Sequence, residues 1–441
     1  MAINATDFVQ WFRAAAPYIH SHRGKTFVLH FAGELIDSPL FPNLIHDIAL
    51  LNSLGIRPVV VYGARTQIEQ QLKERGIKPH LVKGLRLTDE ATLNVVKQTV
   101  GALRIQIEAL FSMGLPNSPM AQAHVKIASG NFITAKPIGI INGTDLQFTG
   151  TVRRVDNELI KLNLQNHEIV LIPPLGYSPT GEVFNLSSVE VATHVAVSLQ
   201  ADKLLFLMSE NGFADGKGRT IQHLSQTEAQ ELLVGKDLSE VSPYLQLSYG
   251  LHALYKGVSR IHFIDQGEDG SLMRELFSRD GAGTLLSAGP YEDLRPATIE
   301  DIGGILELIR PLEEQGILVR RSREKMEMEI ADYNVMVRDG AVIACAALHV
   351  YPEEHAAELA CLVVHENYQK TAKGKELLLK AEQDAERRGV KKLFVLTTHA
   401  MHWFLEQGFV EATVADLPVA RKQLYNYQRN SKVLIKDITA G

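Results

Sequence analysis

The sequence predicts two folds in succession: a mainly parallel α/β sheet sandwiched by helices, then a separate α+β domain. Three observations carry this. As far as Ser287, near-continuous apolar strands alternate with amphipathic helices, the pattern of a sheet buried on both faces. Periodicity then lapses in GAGTLLSAGPYEDLRPAT, rich in glycine and proline, which places a linker at residues 288–293. Beyond it the order changes to helix, three strands, helix, strand, the mark of an α+β unit at 294–441.

In the first part KTFVLHFAG reads as a strand, FPNLIHDIALLNSLG as a helix, RPVVVYG as a strand and TQIEQQLKERG as a helix. A long helix follows in TDEATLNVVKQTVGALRIQIEALFSMG, and HEIVLIPPLG, SVEVATHVAVSLQ and DKLLFLMS continue the alternation. Between them, Val125 to Asn166 holds shorter strands and turns, which predict a hairpin-like flap. In the second part IEDIGGILELIRPLEEQG is a helix, and YNVMVRDG, AVIACAALHVY and AAELACLVVH are strands. AKGKELLLKAEQDAERRG is the next helix, KKLFVLTT a strand and MHWFLEQG a short helix before the last strands.

Composition narrows the function. At 441 residues the chain exceeds what one core usually holds. Its net charge of −6 gives no general pull toward nucleic acid or an anionic membrane. Two cysteines are too few for a disulfide framework and fit a reducing compartment. The N-terminus MAINATDFVQWF lacks the basic start and apolar core of a signal peptide, and no apolar run approaches a spanning helix. A cytoplasmic protein is expected. His349 and His355 flank a proline turn, unlike metal-binding helical spacing, so no metal is expected.

Two stretches suggest phosphate binding. VVVYGARTQI runs from a strand through one glycine into a helix, but Ala64 and Arg65 stand where a cradle would want glycines. A phosphate loop and an ordinary βα turn both fit. In ELACLVVHENYQKTAKGKELLLKAEQ, a buried strand ends near His365 and a helix begins about Ala372, with Gly389 placed to end it. Gln369, Lys370, Thr371, Lys373, Gly374 and Lys375 lie at that helix mouth. Free N–H groups and lysines there suit a pyrophosphate, and they also suit a solvated helix start.

The second stretch resembles the acetyl-CoA loop of the GNAT N-acetyltransferases, Gln/Arg-x-x-Gly-x-Gly/Ala, as Gln369-Lys-Thr-Ala372-Lys-Gly374. PLEEQGILVRRSRE, ELACLVV, LFVLTT, HWFLEQGF and LYNYQRNSKVL, in that order, further resemble the bacterial N-acetylglutamate synthase family. The resemblance implies acetyl transfer from acetyl-CoA to the α-amine of L-glutamate, the entry step of arginine synthesis. It implies backbone amides around Leu362, Val363 and Val364 as oxyanion donors. Glu358 is implied as general base, against an edge-strand surface role. Thr397 is implied at the leaving thiolate, as hydrogen-bond donor or as true acid. Arg321, Arg429 and Ser431 are the implied glutamate ligands, with backbone groups near Val319 and Cys361. Within LACLVV, Cys361 reads as a small buried residue, so direct transfer is expected rather than an acetyl-cysteine.

The first part resembles the amino-acid kinase family. His30 stands where that family has a lysine, Ala64 and Arg65 where it has glycines, and Val189 where it has an organising aspartate. Phosphoryl transfer needs that positive charge and close backbone approach, so a kinase-dead regulatory domain is expected. Regulated members imply an L-arginine site, here from Tyr18, Lys203, Glu275 and the carbonyls near Gly281 and Gly283. The N-terminal amphipathic helix with Phe8, Trp11 and Phe12 is expected to build a homohexamer, as in that family. The competing readings are a non-catalytic arginine and CoA sensor, an active kinase, and a GNAT enzyme for another small amine.

Overall fold

The computed structural model describes residues 5–114, 120–239, 241–278, 281–288, 292–338, 341–369 and 372–438. The chain forms two compact units, Met1–Gly289 and Pro290–Gly441.

In the first unit eight strands make one sheet: β1 (Thr26–Phe31), β2 (Arg57–Tyr62), β3 (Ile127–Ser129), β4 (Ile169–Ile172), β5 (Lys203–Met208), β6 (His223–Ser225), β7 (Arg260–Asp265) and β8 (Thr284–Ser287). Their order is β6-β8-β7-β5-β1-β2-β4-β3, parallel except between β7 and β8. Successive residues serve opposite cores. Phe27, Leu29 and Phe31 join one with Val60 and Tyr62, while Val28, Val59 and Val61 join the other. Both faces are apolar, so these strands show no polar alternation. Helix α1 (Ala5–His22) buries Ala15 and leaves Phe8, Trp11 and Phe12 about half exposed. Helices α2 (Phe41–Ser53) and α3 (Arg65–Glu74) pack on the same face, α4 (Ser188–Leu199) on the other, and α5 (Ser271–Phe277) joins the first.

The segment expected as a hairpin-like flap does contain antiparallel pairs, and it also contributes to a second sheet. Ile133–Pro137 and Gly150–Val155 pair antiparallel and join Leu175–Tyr177 and Val183–Asn185. Ile133, Ala135, Val152 and Val155 are buried there and extend the α4 core. What the sequence presents as turns are the short links between strands that bury one face.

The second unit is a seven-stranded sheet: β9 (Glu292–Pro296), β10 (Tyr333–Arg338), β11 (Ala341–Tyr351), β12 (Ala356–Val364), β13 (Lys392–Thr397), β14 (Val410–Ala412) and β15 (Lys432–Asp437). Its order is β9-β10-β11-β12-β13-β15-β14, antiparallel except for β12 beside β13. Glu292 and Asp293, expected in the linker, are ladder partners of Arg338 and Val337, because β10 offers an edge for them to pair. Helices α6 (Ile302–Glu314) and α7 (Lys373–Arg387) pack on the sheet, and α8 (Met401–Glu406) and α9 (Val419–Gln423) follow. Leu377, Leu378, Ala381 and Ala385 form the buried stripe of α7, and Gly389, at φ +72°, turns the chain at its end. Among the described residues no helix is long and apolar enough to cross a membrane.

One acid in the first unit works against the fold. Asp47 on α2 is pushed up to about 6 by burial and then by Asp269. Its folded-state pKa lies above the unfolded value, so stability falls as pH rises through about 6. Asp47→Asn should therefore raise stability at pH 7.5 by roughly 1–2 kcal/mol and leave it unchanged near pH 4. Chemical denaturation at the two pH values checks this; equal gains at both would assign the effect to packing.

Candidate active site

The site in the second unit starts from a defect in β12. Cys361 has φ +52°, and the register against β11 slips between Cys345 and Ala347. This is a bulge, which bends the strand. On its other side β12 pairs with β13 only from Ala356 to Glu358; beyond that the two parallel strands part. His365 N donates to Ile343 O on the β11 side. By the alternation of strand amides, Leu362 and Val364 direct theirs into the opening.

Glu358 is the last β12 residue paired with β13, and it is buried. Arg421, on α9, grips its carboxylate with a two-pronged ion pair, Nε to Oε2 at 2.5 Å and Nη2 to Oε1 at 3.1 Å. Burial opposes the Arg421 charge and the Glu358 carboxylate outweighs it, so the guanidinium pKa rises. Two further guanidiniums face the bulge. Arg321 is half-buried near Cys361, Tyr333 and Cys345, and its backbone N–H is held by Glu313 Oε1 at 2.9 Å. Arg429 donates to Ile317 O, and its buried Nε has no partner. Burial, then Arg321 and Arg421, pull the Arg429 pKa down. Neither Arg321 nor Arg429 forms an ion pair with a carboxylate among the described residues, whereas Arg421 is paired with Glu358.

Cys345 Sγ donates to the carbonyl of Cys361 at 3.5 Å, and both thiols are free and buried. The Cys361 thiol is pulled down by the hydrogen bond from Cys345 and by Arg321, against burial. Thr397 Oγ1, at the end of β13, accepts from the N–H groups of His399 (3.3 Å) and Ala400 (2.9 Å). Its own proton remains available to a neighbour.

At the mouth of α7, Ala372 is the N-cap at φ +62° and no side chain caps the first turn, which leaves N–H groups for an anion. A Cβ on Gly374 would lie 3.3 Å from the Trp403 ring, so the helix start packs tightly on α8. Lys373 is bound to Glu292 and to Glu376. Gln369 is exposed and reaches Val364 O at 3.4 Å, and Lys375 is exposed.

The first unit holds a different cluster. His22 on α1 hydrogen-bonds Leu276 O at 2.9 Å, with Tyr18 beside it at 6.4 Å between ring centroids. His22 also meets the rings of Phe27 and Phe277, and Lys203 Nζ lies 5.8 Å from the Phe27 ring. Lys203 Nζ is 3.2 Å from His262 Nε2, and His262 Nδ1 is 2.6 Å from Glu275 Oε1. Burial and then Lys203 lower the His262 pKa, so the neutral ring accepts from the lysine and donates to the glutamate. Glu275 Oε2 accepts from the N–H groups of Ala282 (2.5 Å) and Gly283 (3.0 Å). Planar peptides turn the carbonyls of Gly281 and Ala282 the opposite way.

The kinase-like cleft is also present, as a cavity of about 640 Å³ lined by His30, Gly63, Arg65, Asn185 and Ser188 among others. His30 is buried against Ser188 Oγ at 2.9 Å, and burial lowers its pKa to about 3, so it is neutral. Arg65 turns along its own helix to Glu69. Val189 is buried in the α4 core.

Comparison with known proteins agrees with both units. The amino acid kinase family matches residues 25–264, and the acetyltransferase (GNAT) family matches residues 306–409. The amino-acid acetyltransferase of Pseudomonas putida is 48% identical over 98% of this chain and all of its own length. That of Azotobacter vinelandii is 50% identical over 98% of this chain and 99% of its own. The chain belongs to the amino-acid acetyltransferase family. Among solved structures, N-acetylglutamate synthase from Neisseria gonorrhoeae, complexed with coenzyme A and L-arginine, is 38% identical with a TM-score of 0.87, covering 98% of this chain and 100% of that one. The same enzyme complexed with coenzyme A and N-acetyl-glutamate gives 39% and 0.62 at the same coverage.

For this amino-acid acetyltransferase, the structure gathers Glu358, Cys361, Arg321 and Arg429 around one bulge, and it gathers Tyr18, Lys203, Glu275 and Gly283 around another cluster. Val319 is exposed and its carbonyl lies 3.5 Å from Arg321 Nη1, while Ser431 is half-buried and its carbonyl accepts from Tyr425. Lys370 and Thr371 lie outside the described residues. Glu358 lies inside the sheet, with β13 and β15 continuing beyond it, so the edge-strand alternative to the general-base reading does not hold. Lys373 is engaged by Glu292 and Glu376, and Glu275 by His262 and the N–H groups of Ala282 and Gly283. Arg421 and His262 escape sequence reading: each joins its partner through the fold, and no local spacing marks it.

The Glu275 pair is structural as well. Hydrogen bonds from His262 and two backbone N–H groups overcome burial and hold its carboxyl at about 2, below the ordinary 4.5. Its stabilisation is present above the unfolded pKa and is lost as pH falls toward about 2. Glu275→Gln should cost about 2–4 kcal/mol at pH 7, shrinking below pH 4, measured by urea unfolding of the whole chain. An equal loss at every pH would reject the role of the Glu275 charge.

Proposed function

We propose that the chain transfers the acetyl group of acetyl-CoA to the α-amino group of L-glutamate, and that L-arginine restrains it from the first unit. The observation that carries this is the cluster of guanidiniums at the bulge beside Glu358, two of them, Arg321 and Arg429, without an ion pair among the described residues. Arginine forks suit carboxylates, and glutamate brings two. A polyamine would meet repulsion there. The gonococcal synthase at 38–39% identity, complexed with coenzyme A, N-acetyl-glutamate and L-arginine, supports the same ligands.

On this reading the amine attacks the thioester carbonyl directly. An α-ammonium must first lose its proton, and Glu358 is the carboxylate placed to take it, directly or through water. The N–H groups of Leu362 and Val364 stabilise the oxyanion, and the free Thr397 hydroxyl donates to the leaving thiolate. The uncapped start of α7, with Gln369, Lys373, Gly374 and Lys375, seats the pyrophosphate. Arg321, Arg429 and Ser431 hold the substrate carboxylates. The first unit, lacking a positive group at His30 and an acid at Val189, regulates without phosphoryl transfer. Arginine sits between Tyr18 on α1 and the loop carbonyls at 281–283, its guanidinium near Glu275.

A thiol-release assay with acetyl-CoA and an amino-acid panel tests the assignment. Glutamate should be used at least 10²-fold better than lysine or spermidine; comparable turnover of either would end it. Glu358→Gln should lower kcat by roughly 10²-fold with little change in glutamate KM. Double-reciprocal plots should intersect; parallel lines would favour an acetyl-Cys361 intermediate. Arginine should inhibit noncompetitively with glutamate, and Tyr18→Ala should raise the arginine needed for half-inhibition at an unchanged uninhibited rate. Competition between arginine and glutamate would remove the separate site.

A further inference from the structure

We infer that Arg421 is a third carboxylate ligand of the amino-acid substrate, and that it holds Glu358 only until the substrate's α-carboxylate takes its place. The inference rests on the glutamate reading above. Glu358 has both oxygens in the Arg421 fork at 2.5 and 3.1 Å, and so bound it is poorly disposed to take a proton from an ammonium. The same fork fits any carboxylate, and a glutamate substrate brings one on the carbon that bears the reacting amine. Whatever lies close enough for Glu358 to deprotonate therefore delivers that carboxylate to Arg421.

The surroundings point the same way. Arg321 and Arg429 form no ion pair with a carboxylate among the described residues, and both Arg321 and Arg421 press on Arg429, a setting that favours an anionic ligand. Arg421 is borne by the five-residue α9, between Val419 and Leu424, both largely exposed. That short helix is tied down by Val419 N to Glu354 Oε1 at 3.1 Å. Glu358 keeps a second neighbour when the fork leaves it, since the Tyr351 hydroxyl interacts with the same carboxylate, which with burial pushes it up to about 12. Exchange leaves no bare buried carboxylate.

The test compares L-glutamate with 4-aminobutanoate, which keeps the amine and the distal carboxylate but lacks the α-carboxylate. Wild type should strongly prefer glutamate, because 4-aminobutanoate cannot draw Arg421 off Glu358. In Arg421→Gln the glutamate KM should rise at least tenfold. Its kcat on 4-aminobutanoate should exceed that of wild type, because Glu358 is then never masked, so the preference falls at least tenfold. Arg421→Lys keeps the charge without the fork and should fall between, and it serves if Arg421→Gln does not fold by thermal melt. Loss of rate on both substrates in proportion, with preference unchanged in either variant, would make Arg421 a brace and overturn the inference. Wild type inert toward glutamate would instead overturn the functional reading on which it rests.

Discussion

The second unit depends on two parallel strands that stay together for three residue pairs and then part. Strand β12 follows β13 from Ala356 to Glu358 and bends away at the Cys361 bulge. Had it continued, the amides of Leu362 and Val364 would complete a ladder and nothing could approach them. The bulge also sets which side chains meet. Glu358 is fixed just before the parting, Cys361 turns its thiol toward Cys345 and Arg321, and Thr397 ends the opposite wall. Helix α7 follows β12, and no side chain caps its first turn.

Such a site collects charge that the protein does not neutralise. Arg429 has a buried Nε without a partner and two like-charged neighbours, an arrangement that costs stability in the free protein. Residues that break local rules mark function when nothing in the fold gains from them. Here the gain comes from a ligand with complementary charge.

Much of the fold was readable because it follows from burial on two faces. KTFVLHFAG and RPVVVYG lack alternation since Phe27 and Val28, or Val59 and Val60, face different cores. Helix α7 carried its own boundaries in Ala372 and Gly389. The misreadings were of tertiary origin. Glu292 looked like linker because its strand exists only by pairing with β10, and the joining of Val125–Asn166 to a larger sheet was hidden because Leu175–Tyr177 and Val183–Asn185 lie further along the chain. The bulge at Cys361 was invisible, since a cysteine within LACLVV carries no sign of positive φ. Arg421 stands 63 residues from Glu358, and they meet only because the fold sets α9 against the end of β11 and the start of β12, where Val419 N reaches Glu354.

The two buried glutamates show why similar burial need not mean similar use. Glu275 is held by His262 and by two backbone N–H groups, and none of these can leave without displacing β7 or the loop at Ala282–Gly283. That carboxylate is part of the framework; a ligand can approach beside it but gains little by displacing its donors. Glu358 is held by the Arg421 fork from a short helix, with the Tyr351 hydroxyl beside it, and the departure of the fork requires rotation about side-chain bonds rather than backbone movement. Fixed donors make a structural anion, and a donor on a flexible stem makes an exchangeable one. The same acid in the same degree of burial thus serves the fold in one unit and remains available to chemistry in the other.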